Sequence, residues 1–101
     1  MPIINRIAEF HADMTEWRRD LHAHPELSMQ EFRTSAMVQE KLKSFGVDEI
    51  ITGMAGTGVV GVIRAGTSDR AIGLRADMDA LPIHEETGLD YASQNPNVMH
   101  A

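Results

Sequence analysis

Three stretches hold the side chains that could do chemistry: His22-Ala23-His24, Arg75-Ala76-Asp77-Met78-Asp79, and His84-Glu85-Glu86 with Asp90 and His100 further on. Imidazoles and carboxylates bind divalent cations and move protons near neutral pH. On a helix, residues two apart diverge by about 200°, so His22 and His24 cannot share one ion, for which an i, i+4 pair is needed. That favours imidazoles bonding the last carbonyls of a helix. In extended chain, Arg75, Asp77 and Asp79 fall on one face, with same-face neighbours about 6.5–7 Å apart. They are either an Arg–Asp pair finishing a strand or carboxylates at a strand end, set to orient a metal-bound histidine. The third stretch is either a solvated acidic loop or a donor set for a cation. Spacing alone does not choose.

Other chemistries are excluded more firmly. Gly56-Thr57-Gly58 lacks the rest of a dinucleotide fingerprint, and there is no Gly-Lys-Ser/Thr phosphate loop or Gly-x-Ser-x-Gly elbow. Without cysteine there is neither thiol catalysis nor a disulfide framework within the chain. A net charge of −6 argues against nucleic acid or anionic lipid as partner. No apolar run approaches the ~18 residues of a membrane span. The start, Met1-Pro2-Ile3-Ile4-Asn5-Arg6, lacks the features of a secretory signal, so a cytoplasmic location is expected.

The elements that must position these groups can be read from periodicity. The 101 residues amount to one small domain or part of a larger one, and 43% hydrophobic with 24% charged residues is an ordinary globular composition. Ile3, Ile7, Phe10, Met14, Trp17 and Leu21 make one apolar stripe at helical spacing, and Pro25 ends it. Ser28 with Glu31 three residues on reads as a capping box, opening a second helix over about 29–45. That helix carries Phe32, Ser35, Val38, Leu42 and Phe45 on one face and stops at Gly46. Three strand-like runs follow: Glu49 to Thr52, Val59 to Arg64 and Ala71 to Arg75. The last two, joined by Gly66-Thr67-Ser68-Asp69, predict an antiparallel hairpin. From Met78 to Ala101 regular pattern gives way to a long loop, the kind usually kept for function.

Several stretches together resemble the amidohydrolase branch of the aminoacylase/carboxypeptidase metallopeptidase superfamily, which includes hippurate hydrolases. They are Trp17-Arg18-Arg19-Asp20-Leu21-His22 leading into Pro25-Glu26-Leu27-Ser28 and Glu31; Gly56-Thr57-Gly58; Leu74 to Ile83; Glu85-Glu86-Thr87-Gly88-Leu89; and Asn97-Val98-Met99-His100-Ala101. The resemblance spans nearly the whole chain, in the family's order. It implies an α/β fold: the N-terminal part of a three-layer αβα sandwich with a mixed sheet, built here from two helices, about three strands and a long loop. Residues 1–101 are then the first portion of a metallo-amidohydrolase catalytic domain, with the rest of that domain and a dimerisation domain absent.

The activity implied is metal-dependent hydrolysis of the amide bond of N-acyl amino acids, by a homodimer or tetramer. Two divalent ions (zinc, manganese, nickel or cobalt) would polarise the carbonyl and activate a water, with a glutamate as base. In the family, Met-His-Ala is followed by Cys-Gly-His-Asp, whose cysteine and histidine are the first ligands; these lie beyond Ala101. No metal ligand or cofactor site is therefore expected in this chain, which alone should be inactive. Asp79 matches the aspartate of the wider superfamily's His-x-Asp motif, which supports a ligand histidine, and Asp77 stands at the ligand position. Glu85 and Glu86 are not the family's catalytic glutamate pair, and His100 is not a family ligand. Two rivals remain: a non-catalytic αβ module derived from such an enzyme, and a carboxylate-only hydrolase using Asp77, Asp79, Glu85 or Glu86. An isolated edge of a sandwich also exposes apolar surface and favours self-association.

Overall fold

A computed structural model describes residues 4–101; Ile3 of the apolar stripe lies outside them. Helix α1 (Asn5–Glu9) leads through a turn at Phe10 into α2 (His11–Ala23), followed by α3 (Phe32–Ser44), β1 (Glu49–Met54) and β2 (Gly58–Val62).

The single first helix expected is thus two. Its stripe changes character along its length: Ile4, Ile7, Phe10 and Met14 are exposed, whereas Trp17 meets Phe45 of the segment after α3 at 5.8 Å between ring centroids. Lys41 covers Trp17, its ammonium 4.7 Å from the ring centre.

The capping box does not form. The chain turns at 27–30, where Gln30 N–H bonds the Leu27 carbonyl at 2.9 Å and Met29 is left-handed. The first amides of α3 are taken instead by Glu26, whose carboxylate accepts from Arg33 N–H at 3.0 Å and Thr34 N–H at 2.6 Å. An anion at a helix start satisfies orphan donors and complements the dipole. Glu31, placed in the capping box by its spacing, is buried and accepts from the Thr57 hydroxyl at 2.8 Å. The helix therefore begins three residues later than expected. Its end matches expectation: at Gly46, φ +78°, the amides of Gly46 and Val47 bond the carbonyls of Lys43 and Leu42.

The hairpin forms one run earlier than its turn signals suggested. β1 and β2 pair antiparallel, Glu49 opposite Val62 and Met54 opposite Gly58, with an irregularity between Thr52 and Met54. α3 packs on this hairpin, the Leu42 side chain lying over Gly61. The third run, 71–75, is not a strand. It has the right residues but no neighbour among the described residues to complete a backbone ladder, and Ile72 and Leu74 are 90% and 97% exposed. The result is a helix layer on two strands rather than three.

Past this run the chain is tied down despite having no regular structure. Ala80 N–H bonds the Glu26 carbonyl at 2.8 Å, Leu81 and Met99 exchange two backbone bonds at 2.9 and 3.0 Å, and Gln94 N–H bonds Ala23 at the end of α2 at 2.9 Å. The hydrophobic core is small: Ala23, Ala80 and Val98 are the buried apolar residues among those described. The accessible surface of 8020 Å² exceeds the roughly 5,700 Å² of a compact chain of this mass.

Candidate functional site

The end of α2 and the 80–101 segment bring the chemistry-bearing residues together. His22, on the last turn of α2, points away from His24, as their spacing requires. His24 Nδ1 lies 2.9 Å from the Asp20 carbonyl, the helix-end role expected of an imidazole here. His22 instead reaches across the fold, its Nε2 2.8 Å from Glu85 Oε1. Their side chains are 14% and 3% exposed.

Glu85 is well supplied with donors. Oε1 also accepts from Ser93 N–H at 2.9 Å, and Oε2 accepts from the Thr87 hydroxyl. The bonds from Thr87, Ser93 and His22 hold its carboxyl below the usual glutamate range, against the effect of burial. His22 stands edge-on to Tyr91, ring centroids 5.7 Å apart, and 6.5 Å from the ring of His100. Arg18 and Arg19 lie 5.5 and 4.6 Å from the Tyr91 ring centre.

His100 is half-buried, and its Nε2 is buried with no hydrogen-bond partner among the described residues. Burial depresses its basicity and the nearby His22 adds to this, while Asp79 opposes both. Asp77 pairs with Arg75 at 2.5 Å in solvent and, with Arg18, Leu21, His22, His100 and Ala101, lines a cavity of about 450 Å³. Asp77 and Asp79 therefore sit beside the imidazoles rather than apart from them. The rest of the acidic loop disperses: His84 Nδ1 lies 2.6 Å from the Pro96 carbonyl, Glu86 is exposed, and Asp90 lines a different cavity beside Trp17.

Among the described residues, no three histidine, cysteine, aspartate or glutamate side chains converge as a metal ion requires. The donor set present does not by itself fit a metal. Its members bond each other instead: Glu85 is occupied by three donors, and His22 by Glu85. Spacing could not reveal the His22–Glu85 pair, which joins residues 63 apart. The nearest hint was Glu85 itself, an acidic residue in a stretch without regular pattern.

The scaffold is α/β, and it gathers carboxylates and imidazoles beside the end of α2. No family model matches the chain. Individual proteins do, among them several named as hydrolases. Hippurate hydrolase of Campylobacter jejuni is 46% identical over 101 residues, all of this chain and 26% of its own length. An N-acyl-L-amino acid amidohydrolase of Geobacillus stearothermophilus is 47% identical over 95 residues, 94% of this chain and 25% of its own. A dinuclear metal binding peptidase of the M20 family from Bacillus subtilis superposes with a TM-score of 0.84 at 40% identity, covering 92% of this chain and 26% of that one. Over nearly its whole length the chain is thus similar, in sequence and fold, to a segment of a hippurate hydrolase, an N-acyl-L-amino acid amidohydrolase and an M20 peptidase. It spans about a quarter of the length of the relatives it matches.

Proposed function

We propose that these residues are the first portion of the catalytic domain of a metal-dependent amidohydrolase that cleaves small N-acyl amino acids such as N-benzoylglycine. The observation that carries this reading is the match over 101 residues, at 46% identity, to a hippurate hydrolase. Two divalent ions, of zinc, manganese, nickel or cobalt, would supply the polarising charge in the whole protein. The residues here contribute a scaffold and no complete ligand set, so this chain is inactive alone. Asp79, close enough to His100 to bias its protonation, supports the site; Asp77 rims it. A cytoplasmic homodimer or tetramer is the assembly this reading carries.

A second reading, a non-catalytic module derived from such an enzyme, is favoured by one feature: Ile72 and Leu74 are almost wholly exposed on an unpaired extended run. Apolar surface of that kind promotes self-association.

The test is hydrolysis of N-benzoylglycine by the product of the gene's entire reading frame, with and without a chelator, beside the 101-residue chain. The expected result is chelator-sensitive hydrolysis by the former, with Cys-Gly-His-Asp encoded directly after Ala101, and none by the latter. A reading frame that ends at Ala101 in a soluble, stable protein favours the module. Hydrolysis that survives chelation sinks the metal reading.

A further inference from the structure

His22 and Glu85 have no part in the hydrolase reading so far, yet they form the least exposed ion-pair contact of the described residues. We propose that they are a positioning pair for His100: Glu85 fixes His22 as its Nε2–H tautomer, and the fixed ring sets the placement of His100 Nε2, the open hydrogen-bonding position beside Asp79. The inference rests on the hydrolase reading only for what that open nitrogen meets, a polar group on the substrate side of the site; tautomer and placement stand independently.

The tautomer follows from the donors around one carboxylate. An ionised carboxylate only accepts. Glu85 already receives Ser93 N–H at 2.9 Å and the Thr87 hydroxyl, and its lowered basicity keeps it ionised near neutral pH. His22 Nε2, at 2.8 Å, must therefore carry the hydrogen. In the neutral ring the lone pair then lies on Nδ1, as when a carboxylate behind an imidazole sets which nitrogen is free.

The placement follows from what surrounds the rings. His22 is confined by Glu85 at one end and Tyr91 at its edge, with His100 6.5 Å away. The backbone of His100 is fixed independently: Met99 exchanges two bonds with Leu81, and the Ser93 hydroxyl donates to the Val98 carbonyl at 2.6 Å. With ring and backbone both held, the buried Nε2 of His100 has little freedom to swing out and find a partner of its own. A buried polar atom without a partner is uncommon in folded proteins.

Glu85 reaches this region by two routes, through the His22 ring and through Ser93 to Val98, and the experiment separates them. Long-range 1H–15N spectra of the histidine-labelled product of the gene's entire reading frame at pH 7.5 read both rings. For the unaltered chain we expect His22 protonated on Nε2 in at least about tenfold excess over Nδ1, with an NOE between the His22 and His100 rings. H22Q keeps a donor for Glu85, so the Ser93 amide resonance holds while the His100 ring nitrogens shift. T87A removes a different donor from Glu85 and leaves His100 unmoved. A His22 protonated mainly on Nδ1, a missing ring-to-ring NOE, or an unmoved His100 in H22Q overturns the proposal. Should H22Q not fold, the two measurements on the unaltered chain still decide it. Failure of the hydrolase reading has a separate signature: no hydrolysis by the full reading frame while these ring signals stand.

Discussion

Replacing Glu26 by glutamine tests whether α3 is started by a carboxylate five residues before its N-cap position, Glu31. The side chain takes the amides of Arg33 and Thr34, the second and third residues of the helix. Glutamine keeps one carbonyl oxygen and turns an NH₂ toward the other amide, so one acceptor and the charge are lost together. Loss of a capping acceptor costs about 0.5–2 kcal/mol. Loss of an anion beside a helix start adds about 0.3–1 kcal/mol. E26Q should therefore cost about 1–3 kcal/mol, and E26A, which leaves both amides without the side chain, more. At about 4–8 °C per kcal/mol for a domain of this size, E26Q lowers the melting temperature by about 4–24 °C.

The pH dependence is the sharper test. Burial opposes ionisation of Glu26, but the bonds from Arg33 and Thr34 outweigh it and place its carboxyl below the ordinary 4.5. A carboxyl with depressed folded-state pKa stabilises fully above its unfolded value and loses that contribution as pH falls through the folded one. The gap between parent and E26Q, measured by urea denaturation followed by circular dichroism, should be constant at pH 6–7 and close below about pH 4.5. An equal gap at pH 7 and pH 3, or none at pH 7, refutes the assignment.

Other substitutions probe the remaining contacts in the same denaturation assay. G58A should unfold the hairpin locally, because a Cβ there lies 2.6 Å from the Met54 carbonyl oxygen, a backbone atom that cannot yield. G61A meets only the Leu42 side chain at 3.2 Å and should cost much less; equal costs contradict the geometry. T57V removes the hydroxyl that serves buried Glu31 and should cost about 1.5–3 kcal/mol, as for a hydrogen bond to a charged group. Much of that loss should disappear when the same change is made in E31Q, read as a double-mutant cycle. F45A should move the Trp17 fluorescence maximum toward that of exposed indole and lower stability by about 1–2 kcal/mol, whereas an unchanged spectrum means the two rings do not meet.

What could be read from the chain and what could not divide by the range of the interactions. The stop at Gly46 needs only a glycine able to take a left-handed angle, and it lies where the sequence puts it. The divergence of His22 and His24 follows from helix geometry alone, and only the partner of His22 was hidden. The start of α3 was misplaced because Ser28 and Glu31 offer a local cap, while Glu26, from the far side of a turn, satisfies the same amides and frees Glu31 to meet Thr57, 26 residues on. The hairpin was misplaced because all three β-like runs have suitable residues. Pairing is decided by which neighbour can complete the backbone bonds, and no single run encodes that.

The same division explains why the site looks unfinished from either direction. Its carboxylates and imidazoles were recognisable one at a time, yet Asp77, Asp79, His22, Glu85 and His100 meet only because backbone bonds at Ala80, Leu81 and Gln94 tie the irregular segment to α2 and its flank. Three of those five are committed to partners within the chain: Glu85 and His22 to each other, and Asp77 to Arg75. Of the imidazole nitrogens here, His100 Nε2 is the buried one left unbonded, and it lies one residue before the end of the described chain. That nitrogen lies near Asp79 and near the His22 ring, itself bonded to Glu85. Whether His100 moves when His22 alone is changed decides if the opening is held in place or is only incidental to the packing.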